Sequence, residues 1–361
     1  MSDRAQAAAT GLWPALSAAE VIVASGAGGV GKTTVSAALG LALAREGRRV
    51  LVLTVDPARR LADALGHDLG PDPSVVRLPG EPELHAAMLD APTSFARVVD
   101  TLPVDPRDRE RLRASRITRE LTAGDAGMQD LMAIAELERF AIDDAYDAIV
   151  LDTPPALHAL ELLDGPERIV GLLSGRTVKA VARASGLAGR FGRLPGPGRA
   201  LGKLWGADLL TEIATFLEAA QPFGEALAGH LEHAQRLLRS PESAFVLVTA
   251  PAAAPAGTAA ELAAELVRRG HPVAGTIVNR HRAPLDGALD HAALAAAGEQ
   301  LTAAGLPRAA QLAEHLSAVA AHEERTLREA GLPRPRIALA ERPAQERPEA
   351  VLGALADGLV G

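Results

Sequence analysis

A glycine-rich segment near the start of the chain carries the residues with the clearest chemical capacity. It follows the pattern G-x-x-x-x-G-K-T, and its members are Gly26, Ala27, Gly28, Gly29, Val30, Gly31, Lys32 and Thr33. Glycines in such a loop let backbone N–H groups turn towards phosphate oxygens, and a helix that begins there adds its positive end. The pattern predicts that Lys32 contacts the β- and γ-phosphates of a nucleotide and that the Thr33 hydroxyl takes one Mg²⁺ position, with Thr34 in the same site. A glycine turn that carries Lys-Thr by chance is the alternative.

Two aspartates stand where predicted strands end. Asp56 follows the apolar run 50–55, and Asp152 follows the apolar run 148–151. Ligands of open α/β sheets bind beyond the carboxyl ends of the strands, so both carboxylates are expected near the glycine loop. A carboxylate there can hold Mg²⁺ through water or orient the water that attacks a phosphate. Either aspartate could instead cap the next helix.

Apolar runs predict the elements that must position these residues. Strands are predicted at 21–25, 50–55, 148–151, 244–248, 273–278 and 336–340. Helices are predicted at 32–46, 257–269, 289–304 and 309–329. Because a strand–helix–strand unit requires parallel pairing, we predict an α/β fold with a mostly parallel, doubly wound sheet flanked by helices. We expect one P-loop domain over 18–361, helical insertions at 91–145 and 166–240 that form a subdomain, and a flexible segment at 1–17.

Composition narrows the class of protein. The 361-residue chain is 48% hydrophobic but only 2% aromatic, which favours Ala, Leu and Val in helices packed on a parallel sheet. It has no cysteine, which excludes disulfides and thiolate metal sites. A net charge of −8 argues against nucleic acid as a partner. The lack of a signal-type N-terminus and of a long uncharged apolar run predicts a cytoplasmic location.

Four stretches of the sequence together resemble the anion-transporting ATPase family. This family includes the arsenical pump ATPase ArsA and the guided-entry ATPase that delivers tail-anchored membrane proteins. The stretches are the glycine loop, DPARRLADALG at 56–66, DTPPALH at 152–158 and IVNR at 277–280. The similarity extends from about residue 21 to the C-terminus and is greatest to a bacterial branch of paired ATPase subunits.

The resemblance implies a dimer that binds ATP and Mg²⁺ at its interface. Asp56 matches the family's switch I aspartate, which orients the hydrolytic water, and Lys32 is the second residue expected to act in catalysis. Pro57 and Arg59 follow in the same switch. The dimer could be formed by two copies of this chain or with a paralogous ATPase subunit.

The resemblance also assigns residues to the second switch and to the nucleotide base. Asp152 matches the switch II aspartate, which is linked to Mg²⁺ through water, and Thr153 lies beside it. His158 matches a histidine that passes a change at the γ-phosphate to the helical subdomain, although a plain histidine on a helix surface is the alternative. Asn279 matches the asparagine that recognises the edge of adenine.

One departure from the family concerns the glycine loop itself. A signature lysine usually occupies the position of Ala27 and reaches the partner's phosphates across the dimer. Loss of such a charge can slow phosphoryl transfer by roughly 10³-fold, judging from arginine fingers. The departure therefore predicts slow hydrolysis by a homodimer, or a paralogous partner that carries the lysine. Arg59 or Arg60 could supply the charge within the chain, or both could simply be solvated.

A basic segment lies between Arg168 and Asp208, where no Asp or Glu occurs. It also contains apolar residues, so the stretch Arg176–Lys203 could contact an anionic membrane surface or an apolar client. In that case the protein would be peripheral at the membrane. A solvated loop near the dimer interface is the alternative.

Three functions follow from these patterns. The first is an ATP-hydrolysing dimeric switch of the ArsA and guided-entry class, which couples nucleotide state to client, membrane or partner binding through the helical insertions. The second is a nucleotide-gated binding subunit with little hydrolysis of its own, which the alanine at position 27 favours. The third is a positioning ATPase similar to MinD and ParA, and the large helical insertions disfavour it.

Overall fold

The chain folds into two units that differ in secondary structure. The computed structural model describes residues 11–56, 58–124, 126–154, 207–282, 291–343 and 345–361. The first unit comprises Met1–Met88, Asp144–Ala159 and Leu238–Gly361 and is named here the sheet unit. The second comprises Leu89–Asp143 and Leu160–Leu237 and is named the helical unit. Pro57, His158 and the basic stretch Arg176–Lys203 lie outside the described residues.

Eight strands form one sheet in the sheet unit. They are β1 (Val21–Ser25), β2 (Val50–Thr54), β3 (Ser74–Val76), β4 (Leu84–Met88), β5 (Ala148–Asp152), β6 (Ser243–Thr249), β7 (Val273–His281) and β8 (Arg336–Ala340). Their order is β3-β4-β2-β5-β1-β6-β7-β8, and every neighbouring pair is parallel except β3 with β4. The predicted α/β class with a mostly parallel sheet is thereby confirmed. Two of the strands, β3 and β4, were not predicted.

The register of the central strands brings the predicted site residues together. Asp152 at the end of β5 is paired with Ala24 of β1 on one side and with Thr54 of β2 on the other. The glycine loop follows β1 directly, and Asp56 follows β2 after one residue. Because these strands are parallel, their carboxyl ends lie at one edge of the sheet, which is where such folds bind ligands.

The described residues also form helices along the chain. Those of the described residues are α1 (Leu12–Ser17), α2 (Lys32–Arg45), α3 (Arg60–Leu65), α4 (Ala91–Thr101), α5 (Pro106–Ala114), α6 (Arg116–Gly124), α7 (Ala126–Ile142), α8 (Ala207–Arg239), α9 (Ala253–Arg268), α10 (His291–Ala303), α11 (Pro307–Glu329) and α12 (Pro348–Val360). Helix α2 is apolar on nearly all sides and is buried accordingly. Gly40 lets it approach β2 closely, since a Cβ there would lie 2.4 Å from Cγ2 of Val52. No helix in the described ranges is both long and apolar enough to cross a membrane.

The start of the chain corrects one prediction. Residues 12–17 were expected within a flexible segment, but they form α1. Leu12 and Leu16 of this helix are buried, and the Nε1 of Trp13 donates a hydrogen bond of 2.8 Å to the Oε1 of Glu46. Leu12, Trp13 and Leu16 fall on one helical face, and burial of that face holds the short helix in place.

The helical unit contains α4 to α7 and most of α8. Helices α4 and α5 begin with an aspartate cap and a proline in the first turn, at Asp90 and Asp105, which is a strong start signal. Between α4 and α8 the rings of Phe95 and Phe223 lie 5.2 Å apart. This apolar packing, rather than a sheet, stabilises the unit.

Candidate nucleotide-binding site

The glycine loop has a backbone that only glycine tolerates at two places. A Cβ on Gly26 would lie 2.0 Å from the carbonyl oxygen of Val248 in β6. Gly31 has a φ of 90°, and a Cβ there would lie 2.4 Å from Nδ2 of Asn279. Gly29 also has a positive φ, 77°. The loop is therefore held close to its neighbours by backbone, without intervening side chains, as a phosphate-binding loop requires.

Lys32 folds back over this loop from the first turn of α2. Its Nζ donates a hydrogen bond of 3.0 Å to the carbonyl oxygen of Ala27, and the residue is only 8% exposed. Burial lowers the pKa of Lys32, and the negative charge of Asp152 partly opposes that shift. The site thus contains an ammonium group that has lost much of its hydration, which favours an anionic ligand.

Asp152 is buried at the end of β5 and is surrounded by hydroxyl groups. Thr54 Oγ1 donates to its Oδ2 at 2.9 Å, and Ser36 Oγ donates to its Oδ1 at 3.4 Å. Burial raises the pKa of Asp152, while hydrogen bonds from Thr33 and Thr54 and the charge of Lys32 act in the opposite direction. Thr33 and Asp152, both predicted near Mg²⁺, are therefore brought together.

Sequence reasoning missed Ser36 and Thr54. Ser36 lies one helical turn after Lys32 and Thr33 on α2, so the 3.6-residue period could have placed it on the same face. Thr54 is a polar residue at the end of an otherwise apolar strand, two residues before Asp56. Both signals are local, and neither shows by itself which carboxylate the hydroxyl contacts.

Asp56 lies at the same edge, next to Asp152. Its backbone N–H donates to Thr54 Oγ1 at 3.2 Å, so Thr54 contacts both aspartates. Its Oδ1 accepts from the backbone N–H of Ala58 at 2.9 Å, and its Oδ2 lies 3.1 Å from Nη1 of Arg60. The residue at the N-cap of α3 is Arg59, so Asp56 does not cap that helix.

The two arginines that follow Asp56 have different surroundings. Arg59 has a φ of 51°, and its guanidinium pairs with the carboxylate of Asp68. Arg60 pairs with Asp56 and contributes, after burial and the charge of Asp152, to the lowered pKa of Lys32. Of the two arginines considered from the sequence, the structure therefore brings Arg60, and not Arg59, to the carboxylate of Asp56.

Asn279 connects the glycine loop to a cavity. Its Nδ2 donates a hydrogen bond of 2.9 Å to the carbonyl oxygen of Val30 in the loop. Asn279 and Thr34 line a cavity of about 550 Å³, whose other walls come from α3, the chain after β8 and α12. Those walls include Ala64, Pro343 and Leu355. The segment 340–348 gave no sequence signal for a site, because its role depends on β8 lying beside β7.

Thr153 fixes the end of β5 against the start of the loop. Its Oγ1 donates to the carbonyl oxygen of Ala24 at 2.9 Å and lies 3.2 Å from the Oγ of Ser25. The strand that carries Asp152 is thus tied by side chains to the strand that leads into the glycine loop. Such ties position the carboxylate rather than contact a ligand.

The donor set fits Mg²⁺ bound together with a nucleotide. Among the described residues no three His, Asp or Glu side chains cluster as a metal site. A nucleotide-bound Mg²⁺ takes most of its ligands from phosphates and water and needs only one or two protein oxygens. The Thr33 hydroxyl and the buried carboxylate of Asp152, joined by a hydrogen bond, are oxygens of that kind.

A glycine loop, a buried lysine and strand-end aspartates on a parallel sheet define a P-loop nucleotide-binding protein. The chain belongs to the anion-transporting ATPase family, because the model described as Anion-transporting ATPase matches residues 19–284. The family inferred from the four sequence stretches is thereby confirmed.

Similarity to individual proteins covers part of the chain. The chain is 36% identical over 180 residues to an uncharacterized protein of Streptomyces coelicolor, and the matched region covers 48% of this chain and 44% of that protein. The chain is 30% identical over 173 residues to the ATPase get3 of Schizosaccharomyces japonicus, a match that covers 48% of this chain and 49% of get3. It is 35% identical over 196 residues to the ATPase ARSA2 of Chlamydomonas reinhardtii, a match that covers 53% of this chain and 50% of ARSA2. The chain thus spans about half the length of the curated relatives it matches.

Proposed function

We propose that the chain binds Mg·ATP at this site and hydrolyses it to ADP and phosphate, as a dimeric switch whose nucleotide state controls partner binding by the helical unit. The observation that carries the proposal is the contact set at the glycine loop. Lys32 lies over the loop, 3.0 Å from the carbonyl oxygen of Ala27, and the buried carboxylate of Asp152 is hydrogen-bonded to Thr33. Two ATPases, get3 and ARSA2, are among the relatives of the chain.

Electrostatics supports a phosphate ligand. Burial disfavours the charged forms of both Lys32 and Asp152, because it lowers the pKa of the first and raises that of the second. A triphosphate would supply negative charge beside Lys32, and its metal ion would supply positive charge beside Asp152. Binding would thus relieve both penalties, whereas a neutral ligand would relieve neither.

The residues have separate parts in the proposed reaction. Lys32 binds the β- and γ-phosphates, and Thr33 and Asp152 would hold Mg²⁺ beside them. Bound Mg²⁺ would neutralise charge on the phosphate oxygens. Asp56 orients the attacking water, since its carboxylate lies at the strand edge and only part of it is buried.

The cavity beside the loop suits a purine base. Asn279 uses one N–H of its Nδ2 for Val30, which orients the amide and leaves Oδ1 as an acceptor. An acceptor can bind the amino group of adenine, whereas guanine has a carbonyl oxygen at that position. Together with the ATPases among the relatives of the chain, this acceptor makes ATP the proposed nucleotide.

The proposal is tested with Lys32→Ala. Titration calorimetry with Mg·ATP is expected to show at least a roughly 100-fold weaker Kd, and phosphate release is expected to fall to background, because the ammonium contacts both outer phosphates. Arg49→Ala is the matched control, since Arg49 pairs with Asp147 at the opposite ends of β2 and β5. Unchanged turnover in Lys32→Ala would refute the assignment.

One observation favours the second candidate, a nucleotide-gated binding subunit with little hydrolysis. Position 27 carries an alanine, whose carbonyl oxygen accepts from Lys32 and whose methyl group packs against the core, where the family usually has a lysine. Steady-state turnover of the purified chain, with and without Ala27→Lys, separates the two. Appreciable turnover of the unaltered chain alone rejects the binding subunit, whereas a rise only in Ala27→Lys supports it.

Partner contacts follow from the same proposal. A dimer with nucleotide at its interface is expected to gain mass on sedimentation when a non-hydrolysable ATP analogue and Mg²⁺ are added. The basic stretch Arg176–Lys203 remains our proposed contact for a client or an anionic membrane surface. Co-sedimentation with anionic and neutral vesicles, in the presence and absence of nucleotide, tests the proposed membrane contact.

A further inference from the structure

The carboxylate of Asp56 already has a partner on each oxygen. Oδ1 accepts from the backbone N–H of Ala58 at 2.9 Å, and Oδ2 lies 3.1 Å from Nη1 of Arg60. A carboxylate that must orient a water molecule needs an oxygen for that water. Oxygen Oδ2 is the one that can be released, because its partner is a side chain, whereas the partner of Oδ1 belongs to the backbone of the following turn.

Arg60 is able to change partners. Its side chain is 62% exposed, and exposed ion pairs contribute only about 0–1 kcal/mol. A guanidinium binds phosphate oxygens through two parallel hydrogen bonds, which are stronger than a single contact to a carboxylate. A γ-phosphate bound beside Lys32 would therefore compete well for Arg60.

Arg60 is also close enough to sense that phosphate. Burial is the main reason that the pKa of Lys32 is lowered. Of the neighbouring charges, Asp152 opposes this shift and Arg60 adds to it. The residue thus belongs to the electrostatic surroundings of the ammonium group that is proposed to hold the outer phosphates. Arg59, by contrast, pairs with the carboxylate of Asp68.

We propose that Arg60 exchanges Asp56 for the γ-phosphate when ATP binds, and so acts as a catalytic residue supplied within the chain. The exchange places positive charge on the γ-phosphate and releases Oδ2 of Asp56 for the attacking water. The inference rests on the proposed function. It assigns to Arg60 the cation that position 27 does not carry.

The reaction that follows is ordinary hydrolysis. The water oxygen forms a bond to the γ-phosphorus, and the bond from that phosphorus to the bridging oxygen breaks, with its electron pair leaving on ADP. The water's proton is held by Asp56 Oδ2 and passes to the released phosphate. Arg60 stabilises the charge on the γ-phosphate during this step.

Arg49 provides a matched control for the test. Its side chain is 59% exposed, against 62% for Arg60, and it pairs with the carboxylate of Asp147 instead of Asp56. Arg60→Ala is expected to lower kcat at least about 100-fold, in line with arginines that act on phosphoryl groups. Arg49→Ala is expected to stay within about threefold of the unaltered protein. Arg60→Lys keeps the charge but not the two-pronged contact, and should recover part of the loss.

Affinity measurements give a second readout that a structural role would not change. Calorimetry should show about tenfold weaker binding of a non-hydrolysable ATP analogue to Arg60→Ala, but an ADP affinity within about twofold, because only the triphosphate offers a γ-phosphate. Melting temperatures of all variants establish that they are folded.

The outcomes separate the two proposals. If the unaltered protein does not bind Mg·ATP, the proposed function itself fails. If it binds Mg·ATP but Arg60→Ala and Arg49→Ala lose turnover equally, or Arg60→Ala weakens ADP as much as the ATP analogue, the role of Arg60 is overturned and nucleotide binding at the site stands. If the unaltered protein binds Mg·ATP but does not hydrolyse it, the catalytic role of Arg60 is overturned.

Discussion

Both units of the protein bury acidic side chains, but they compensate them differently. In the sheet unit, Asp152 is surrounded by hydroxyl groups of Thr33, Ser36 and Thr54. In the helical unit, Glu136 contacts the guanidinium groups of Arg97 and Arg139, with Nη2 of Arg139 at 2.6 Å. Glu138 there lies 3.1 Å from His230 and 3.0 Å from His233.

The difference separates a binding site from a structural contact. The glutamates of the helical unit have basic side chains as partners, so their surroundings are complete without any ligand. Burial raises the pKa of Asp152 even though its hydroxyl partners act in the opposite direction, and burial lowers the pKa of Lys32. Groups whose charged forms are disfavoured in a cleft are candidates for ligand contacts, and the sheet unit concentrates them at one strand edge.

The largest effect is expected from Gly31→Ala. Its φ of 90° and the 2.4 Å approach of Asn279 Nδ2 to an added Cβ would displace the loop, so Mg·ATP affinity should fall at least about 100-fold by calorimetry. Gly47→Ala is the control, because Gly47 has a similar φ of 83° but nothing within 4 Å of an added Cβ. Equal loss of affinity in both variants would show that backbone strain, and not the loop, is responsible.

The second-largest effect is expected from the loss of a buried glutamate in the helical unit. Glu136→Ala is expected to lower the free energy of unfolding by about 2 kcal/mol, because two guanidinium groups lose a buried carboxylate. Urea unfolding measures this, and Glu110→Gln on the exposed face of α5 should change it by less than about 0.5 kcal/mol. A Glu136→Ala variant as stable as the unaltered protein would contradict the contrast drawn between the two units.

Base selection should change by a smaller factor. Asn279→Ala removes both the bond to Val30 and the acceptor at the cavity, so affinity for Mg·ATP is expected to fall about tenfold, with the ATP-over-GTP preference lost. Competition binding with the two nucleotides checks it. Retention of the preference would locate base recognition elsewhere in the cavity wall.

Asp152→Asn is expected to produce the smallest change, which is a gain in stability where Glu136→Ala loses stability. Burial raises the pKa of Asp152 in the folded protein, so the stability it contributes is fully present below the pKa of the unfolded chain and is lost as pH rises through the folded pKa. At pH 7.5 the asparagine variant should therefore be more stable than the unaltered protein, because it places no charge in the buried position. Melting temperatures from pH 4 to pH 8 measure this difference.

Melting temperatures measured with Mg·ATP provide a second test of the Asp152→Asn variant. Mg·ATP should raise the melting temperature of the unaltered protein by mass action but have little effect on Asp152→Asn, which cannot hold Mg²⁺ with a charged carboxylate. A variant that is less stable than the unaltered protein at pH 7.5, or that gains equally from Mg·ATP, would contradict the contrast between the two units.

Local patterns predicted most of the sheet but not the edge formed by β3 and β4. Six strands coincide with apolar runs, and in β1, β2, β5 and β6 burial on both faces makes the run continuous. The strands β3 and β4 were missed because one is three residues long and the other, Leu84–Met88, has no β-branched residue. Their pairing, with Ser74 opposite Ala86, depends on the neighbouring strand β2 and has no local signal.

The sequence by itself determined the glycine loop, its lysine and threonine, and the two aspartates at strand ends, because short-range spacing fixes all of them. Only the tertiary structure decided which groups meet: Thr54 contacts both aspartates, and Arg60 rather than Arg59 pairs with Asp56. These contacts depend on which strands are neighbours and on the positive φ of Arg59, which orients α3. Spacing along a chain gives the first kind of information, and side-chain packing across strands gives the second.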